Sequence, residues 1–171
     1  EGPIPMGSEI TMSQNPRFIV RAAGSFKQNK GCSDESIDSL SSERLEYLCA
    51  GECYNPSNQR EVIERIEIIK ITPQIYAGEA VSPLIQDPWK TIPCQGTGEC
   101  IVEFEDQNFS RDSVYYVRAL QNSTPAINGS SLSQRDSFKL CKGSFKTDLT
   151  DDCLSMTKER AWSSPIYVNK P

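Results

Sequence analysis

The stretch Val62-Ile63-Glu64-Arg65-Ile66-Glu67-Ile68-Ile69-Lys70-Ile71, closed by Thr72-Pro73, decides the fold class. Its isoleucines are β-branched, which costs rotamer freedom in a helix and packs well on a pleated surface, so the stretch reads as a strand. Alternation places Ile66, Ile68 and Lys70 on one face and Arg65, Glu67, Ile69 and Ile71 on the other, one face apolar and one mixed. Pro73 stops the strand because it offers no amide to a ladder.

Outward from this stretch, Arg17 to Ala23 reads as a short strand ending at Gly24, and Cys100 to Glu105 alternates with Ile101, Glu103 and Glu105 opposite Val102 and Phe104. Val114 to Leu120 is a further strand, and Ile166 to Val168 a last short one. Along the former, Tyr115, Val117 and Ala119 point one way and Tyr116, Arg118 and Leu120 the other. One set is expected to pack between sheets while Arg118 meets a carboxylate or carbonyl. Trp162, just before Pro165, is expected to anchor the final strand to the core, and Trp89, beside Pro88, to lie in a loop.

Two helices are expected. Ser41 caps one through Leu48, and Thr150 caps another through Ala161, with Asp151 and Asp152 at the positive end of its dipole. A long loop spans Gln121 to Lys146 with its turn at Asn128-Gly129. Strands without alternating long helices describe a mainly β chain, an immunoglobulin-like antiparallel β-sandwich with short helical insertions. Residues 1–171 read as one domain, with 1–16 as a linker or docking segment.

With 171 residues, 37% hydrophobic and 24% charged, the chain can bury a core without staples. A net charge of −5 repels phosphate backbones, so nucleic acid is not an expected partner. No apolar run approaches the roughly 18 residues of a membrane span. The chain opens at Glu1-Gly2-Pro3 without a signal-like segment, so any export signal is expected outside it, in a longer parent.

Seven cysteines, Cys32, Cys49, Cys53, Cys94, Cys100, Cys141 and Cys153, lie in or beside segments rich in Gly, Pro, Ser and Asp. This suits loop staples in an oxidising, exported setting, periplasmic or extracellular. Cys94 with Cys100 and Cys141 with Cys153 close small rings, and Cys32 can join Cys49 or Cys53; the odd count leaves one thiol over. Four thiolates from Cys49, Cys53, Cys94 and Cys100 are the zinc alternative, but the second interval is wider than a zinc knuckle.

There is no histidine, which removes Ser-His-Asp and Cys-His nucleophile pairs and every His-bearing metal site. Glu103 and Glu105 share a strand face, yet no apolar pocket is evident to separate their pKa values, so solvated surface is the expectation. Asp148-Leu149-Thr150-Asp151-Asp152 lacks the ligand periodicity of a calcium loop and reads as helix capping. Gly96-Thr97-Gly98 is too short for a phosphate loop. The sequons at Asn108, Asn122 and Asn128 carry little information. No catalytic, cofactor or metal residue is expected in this chain.

Five segments, Gly2 to Gly7, Arg65 to Lys70, Tyr115 to Leu120, Thr124 to Gly129 and Glu159 to Val168, together resemble, in that order, the C-terminal part of the bacterial family called domain of unknown function 3604. The Tyr115-Tyr116-Val117-Arg118 strand and the closing Ala161-Trp162-Ser163-Ser164-Pro165-Ile166 segment are the most specific. The resemblance implies an exported parent whose N-terminal part is similar to metal-dependent hydrolases of the polymerase-and-histidinol-phosphatase type, with metal ions held there and none of those ligands here. It implies a non-catalytic accessory domain with that hydrolase-like domain as its partner. Docked there, the domain is expected to stabilise the barrel and to lend its Pro3 to Gly7 loop to the rim of the hydrolase site. The alternative is an extracellular binding module for carbohydrate or a protein partner, using an exposed sheet face, the long loop or Trp89.

Overall fold

The computed structural model describes residues 2–49, 54–127 and 154–171. Among the described residues strands dominate, with two short α-helices and a 3-10 turn at Ser82–Leu84, so the chain is mainly β. It divides into two compact units, one built from residues 1–24, 62–122 and 160–171, the other from 25–61 and 123–159.

The larger sheet, mostly in the first unit, has β1 (Glu9–Thr11), β5 (Ile63–Ile71), β6 (Ile85–Pro93), β8 (Ser113–Ile127) and β10 (Ile166–Asn169) in the order β1-β10-β8-β5-β6, with β9 (Leu154–Trp162) pairing to β8 off that path; residues 123–127 of β8 and 154–159 of β9 belong to the second unit. All neighbours whose register is defined are antiparallel except β1, which runs parallel to β10 with Ile10 opposite Val168. A second ladder joins β2 (Arg17–Ala23) to β7 (Glu99–Glu105), from Arg17 opposite Glu105 to Ala23 opposite Glu99. β1 lies within the segment read as a linker. Gly7, just before it, has φ +86, which a side chain rarely adopts, and its amide donates to the Pro165 carbonyl at 3.0 Å.

The inner faces of the two ladders meet. Phe18, Val20 and Ala22 of β2 and Cys100, Val102 and Phe104 of β7 pack on Ile63, Ile66 and Ile68 of β5 and on Val117 and Ala119 of β8. Complete burial of an isoleucine contributes about 1.5–3 kcal/mol, and Ile66 and Ile68 are wholly buried. Tyr115, Val168 and Phe109 form a second cluster, joined to the first through Phe18 and Trp89. The Cys94–Cys100 disulfide closes the β6–β7 turn as expected, with Gly96 inside the ring at φ +75.

In the second unit, β3 (Phe26–Lys30) pairs with β4 (Tyr54–Arg60), and the Arg60 guanidinium lies 4.2 Å from the Phe26 ring centre. Between them stand α1 (Asp34–Ser39), capped by the Ser33 hydroxyl, and α2 (Ser42–Cys49), whose Arg44 amide donates to Ser41 Oγ at 3.2 Å, the cap expected there. Cys32 is a free, half-buried thiol. Cys53, Cys141, Cys153 and the side chain of Cys49 fall outside the described residues, as do Asp148 to Asp152 and the Asn128-Gly129 turn.

Several expectations are corrected. Residues 154–161, assigned to a helix that Thr150 caps and that runs through Ala161, lie in strand β9; pairing with β8 overrides a local pattern that suits either state. Residues 121–127, read as the start of a loop, continue β8. Trp162 does not anchor the core: it is 58% exposed at the end of β9. Trp89 is not on a loop but on β6, half-buried between Phe104 and Tyr115, beyond a cis Asp87–Pro88 peptide. On the mixed face of β5, Ile69 is fully buried and Glu67 nearly so.

Candidate functional site

Asp106 sits in the turn after β7, and its amide donates to the Pro16 carbonyl at 3.1 Å. Its Oδ1 accepts the Asn108 amide at 3.1 Å, the self-closing turn that aspartate favours. Oδ2 accepts the Tyr115 hydroxyl at 2.5 Å and the Lys70 ammonium. The carboxylate is 1% exposed and the lysine side chain 12%. Lys70 Nζ also lies 5.3 Å from the Trp89 ring centre and 5.8 Å from that of Tyr115, so the cation is flanked by two aromatic rings as well as its counter-charge.

Burial by itself would raise the Asp106 carboxyl, but the hydrogen bonds from Lys70 and Tyr115, with the lysine charge, outweigh it and hold the group below the usual carboxylate range. Burial, then the adjacent carboxylate, pushes the Tyr115 hydroxyl up, so it remains a proton donor throughout the working range. These roles are structural: aspartate accepts, and tyrosine and lysine donate.

The sequence contained a signal for this cluster. Lys70 shares the apolar face of Ile66 and Ile68, and a lysine there requires an acceptor. Which carboxylate supplies it is decided by a contact spanning 36 residues.

A cleft of about 330 Å³ opens beside the cluster. Lys70, Asp106, Arg111 and Trp89 line it together with Thr72, Gln86, Asn108 and Ser110. Arg111 holds Glu79 through two nitrogens, at 2.8 and 3.1 Å, and also donates to the Pro73 carbonyl. The hydrogen bond to Arg111 is the first cause of the lowered Glu79 carboxyl, followed by the Ile75 amide.

On the outer face of the larger sheet, Glu67 stands opposite Arg118 in register and accepts from its Nε at 2.6 Å and from Arg65 Nε at 2.7 Å. Arg118 reaches Asp87 as well, at 2.9 Å. Burial opposes ionisation of Glu67, but the two guanidinium bonds prevail and its carboxyl lies below the ordinary value. Glu103 pairs with Arg17 at 2.9 Å on an exposed face, and Glu105 shares that side of β7 without joining it in a cluster. Among the described residues no group of three or more Cys, Asp or Glu side chains is placed to hold a metal ion. Near the amino terminus, Ile4, Pro5 and Met6 line a mainly apolar groove of about 260 Å³ with Ile19, Tyr116 and Ile166.

The sequence profile of the family described as "Protein of unknown function (DUF3604)" matches residues 90–170, so the chain is similar to that family from the middle of β6 to the end of β10. The match includes the Tyr115 to Leu120, Thr124 to Gly129 and Glu159 to Val168 segments; Gly2 to Gly7 and Arg65 to Lys70 precede it. No curated protein matches the chain. No solved structure matches it either. Among the described residues, no helix is long and apolar enough to cross a membrane.

Proposed function

We propose that this chain is a non-catalytic accessory domain, residues 1–171, of an exported protein, and that its first unit is an immunoglobulin-like sandwich. The strand order carries the reading. A sheet ordered β1-β10-β8-β5-β6 over a β2–β7 ladder follows the variable-type arrangement of G, F, C and C′ strands over B and E, with the first strand running alongside the last. Tyr115 near the start of β8, tied back to Asp106 in the preceding corner, occupies the position of the tyrosine corner in that architecture, with a side-chain acceptor in place of a backbone one.

The accessory role rests on the resemblance of the chain to the C-terminal part of its family and on the state of its charged groups. Asp106, Glu67 and Glu79 are each engaged by cations with their carboxyls depressed, the reverse of the raised value a general acid needs. The chemistry, with its metal ions, belongs to a hydrolase-like N-terminal part of the parent. The Cys94–Cys100 disulfide supports a periplasmic or extracellular location.

The test compares the parent protein, the parent lacking these residues, and the chain alone. With manganese or zinc, the chain alone is expected to leave p-nitrophenyl phosphate and p-nitrophenyl acetate unhydrolysed, and its deletion to lower the melting temperature of the remainder. Turnover by the chain alone overturns the non-catalytic reading. An unchanged melting temperature overturns docking on the parent.

A further inference from the structure

The cleft beside Asp106 has two kinds of lining. Its charged groups are already committed, Lys70 to Asp106 and Arg111 to Glu79, so each cation is neutralised by a carboxylate of the same unit. Its neutral groups are not. Among the described residues, the side-chain amides of Gln86 and Asn108 and the hydroxyls of Thr72 and Ser110 have no hydrogen-bond partner, although all four line the cleft. Arg111 Nε, on another lining residue, is a buried donor with no partner in the structure.

A site with several neutral donors and acceptors, whose two cations each already hold a carboxylate, does not select an anion, which would have to displace Asp106 or Glu79 from its cation. It suits a ligand that both donates and accepts at many points without charge. We infer that this cleft is a binding site for a neutral, polyhydroxylated ligand, one or two sugar units of a glycan. Its volume, about 330 Å³, lies at the small end of the usual range for ligand sites. Trp89 contributes an edge and not a stacking platform, because Lys70 and Lys90 stand 5.3 and 4.2 Å from its ring centre and Phe104 and Tyr115 pack beside it.

The experiment applies the whole 171-residue chain, labelled on its amines, to a printed array of neutral, sialylated and sulfated glycans. It then titrates the best neutral glycan against a Trp162→Phe variant, leaving Trp89 as the only tryptophan. The expected result is retention on neutral glycans, insensitive to added salt, with a saturable change in Trp89 fluorescence. Asn108→Ala and Gln86→Ala, both at exposed positions, are each expected to weaken that affinity by about 3- to 10-fold while melting with the parent variant, as the loss of one neutral hydrogen bond predicts. Binding restricted to sulfated or sialylated glycans and removed by salt would show an anion site and overturn the inference. So would an array with no neutral glycan retained, or binding that both alanine variants leave unchanged. None of these outcomes bears on whether the chain docks on its parent.

Discussion

Replacing Asp106 by asparagine preserves the shape of the buried turn and removes only its charge. Lys70 is then left with an ammonium, 12% exposed at the side chain, facing a neutral amide. Removing one member of a buried ion pair typically costs about 3–5 kcal/mol, and the narrow access of Lys70 to water favours the lower end, about 3 kcal/mol. The assay is urea unfolding at pH 7 in the Trp162→Phe background, where Trp89 beside Tyr115 reports on this unit alone. The sign with pH follows from the depressed Asp106 carboxyl. Its stabilisation is complete above the unfolded value of about 3.9 and is lost as pH falls through the lower folded value. The gap between the native chain and Asp106→Asn should therefore close below about pH 4. A gap under about 0.5 kcal/mol at pH 7, within the range of ordinary surface substitutions, would refute the reasoning. A gap that widens on acidification would do the same.

Other substitutions separate elements that the sequence makes look alike. Trp89→Ala should cost about 3–5 kcal/mol and Trp162→Ala less than about 1 kcal/mol, since one packs in the core and the other is 58% exposed; equal losses in denaturant would contradict this placement. Tyr115→Phe keeps the ring and deletes a hydrogen bond to a charged acceptor, an expected loss of about 1.5–3 kcal/mol. Unfolding curves superposable on those of the native chain would dismiss that bond. Converting both Cys94 and Cys100 to serine opens a ring of sequence separation 6, worth about 2 kcal/mol by loop-closure entropy. Addition of dithiothreitol should reproduce the loss in the native chain and leave the double variant unaffected; an effect of similar size on both would place the sensitive bond elsewhere.

The sequence by itself determined what depends on neighbours one or two residues away. Val102 and Phe104 point inward while Ile101 and Glu103 point outward because side chains alternate across a pleat, and β2, β7 and the first part of β8 are legible for the same reason. The Ser41 cap and the Cys94–Cys100 ring are likewise local.

Where local preference is weak or divided, tertiary structure decided. Residues 26–30 and 54–60 carry no apolar alternation and become strands only by pairing with each other, and residues 154–162 are a strand because β8 offers a partner. The two tryptophans have opposite environments that no window around them foretells: Trp89 is enclosed by Phe104, Tyr115 and two lysines, Trp162 by water. The partner of Lys70 and the uncommitted amides of the cleft likewise exist only after residues from β5, β6 and the β7–β8 turn have met. Burial and ion pairing are properties of the packed sheets, and contacts between segments distant in the chain are written in no single segment.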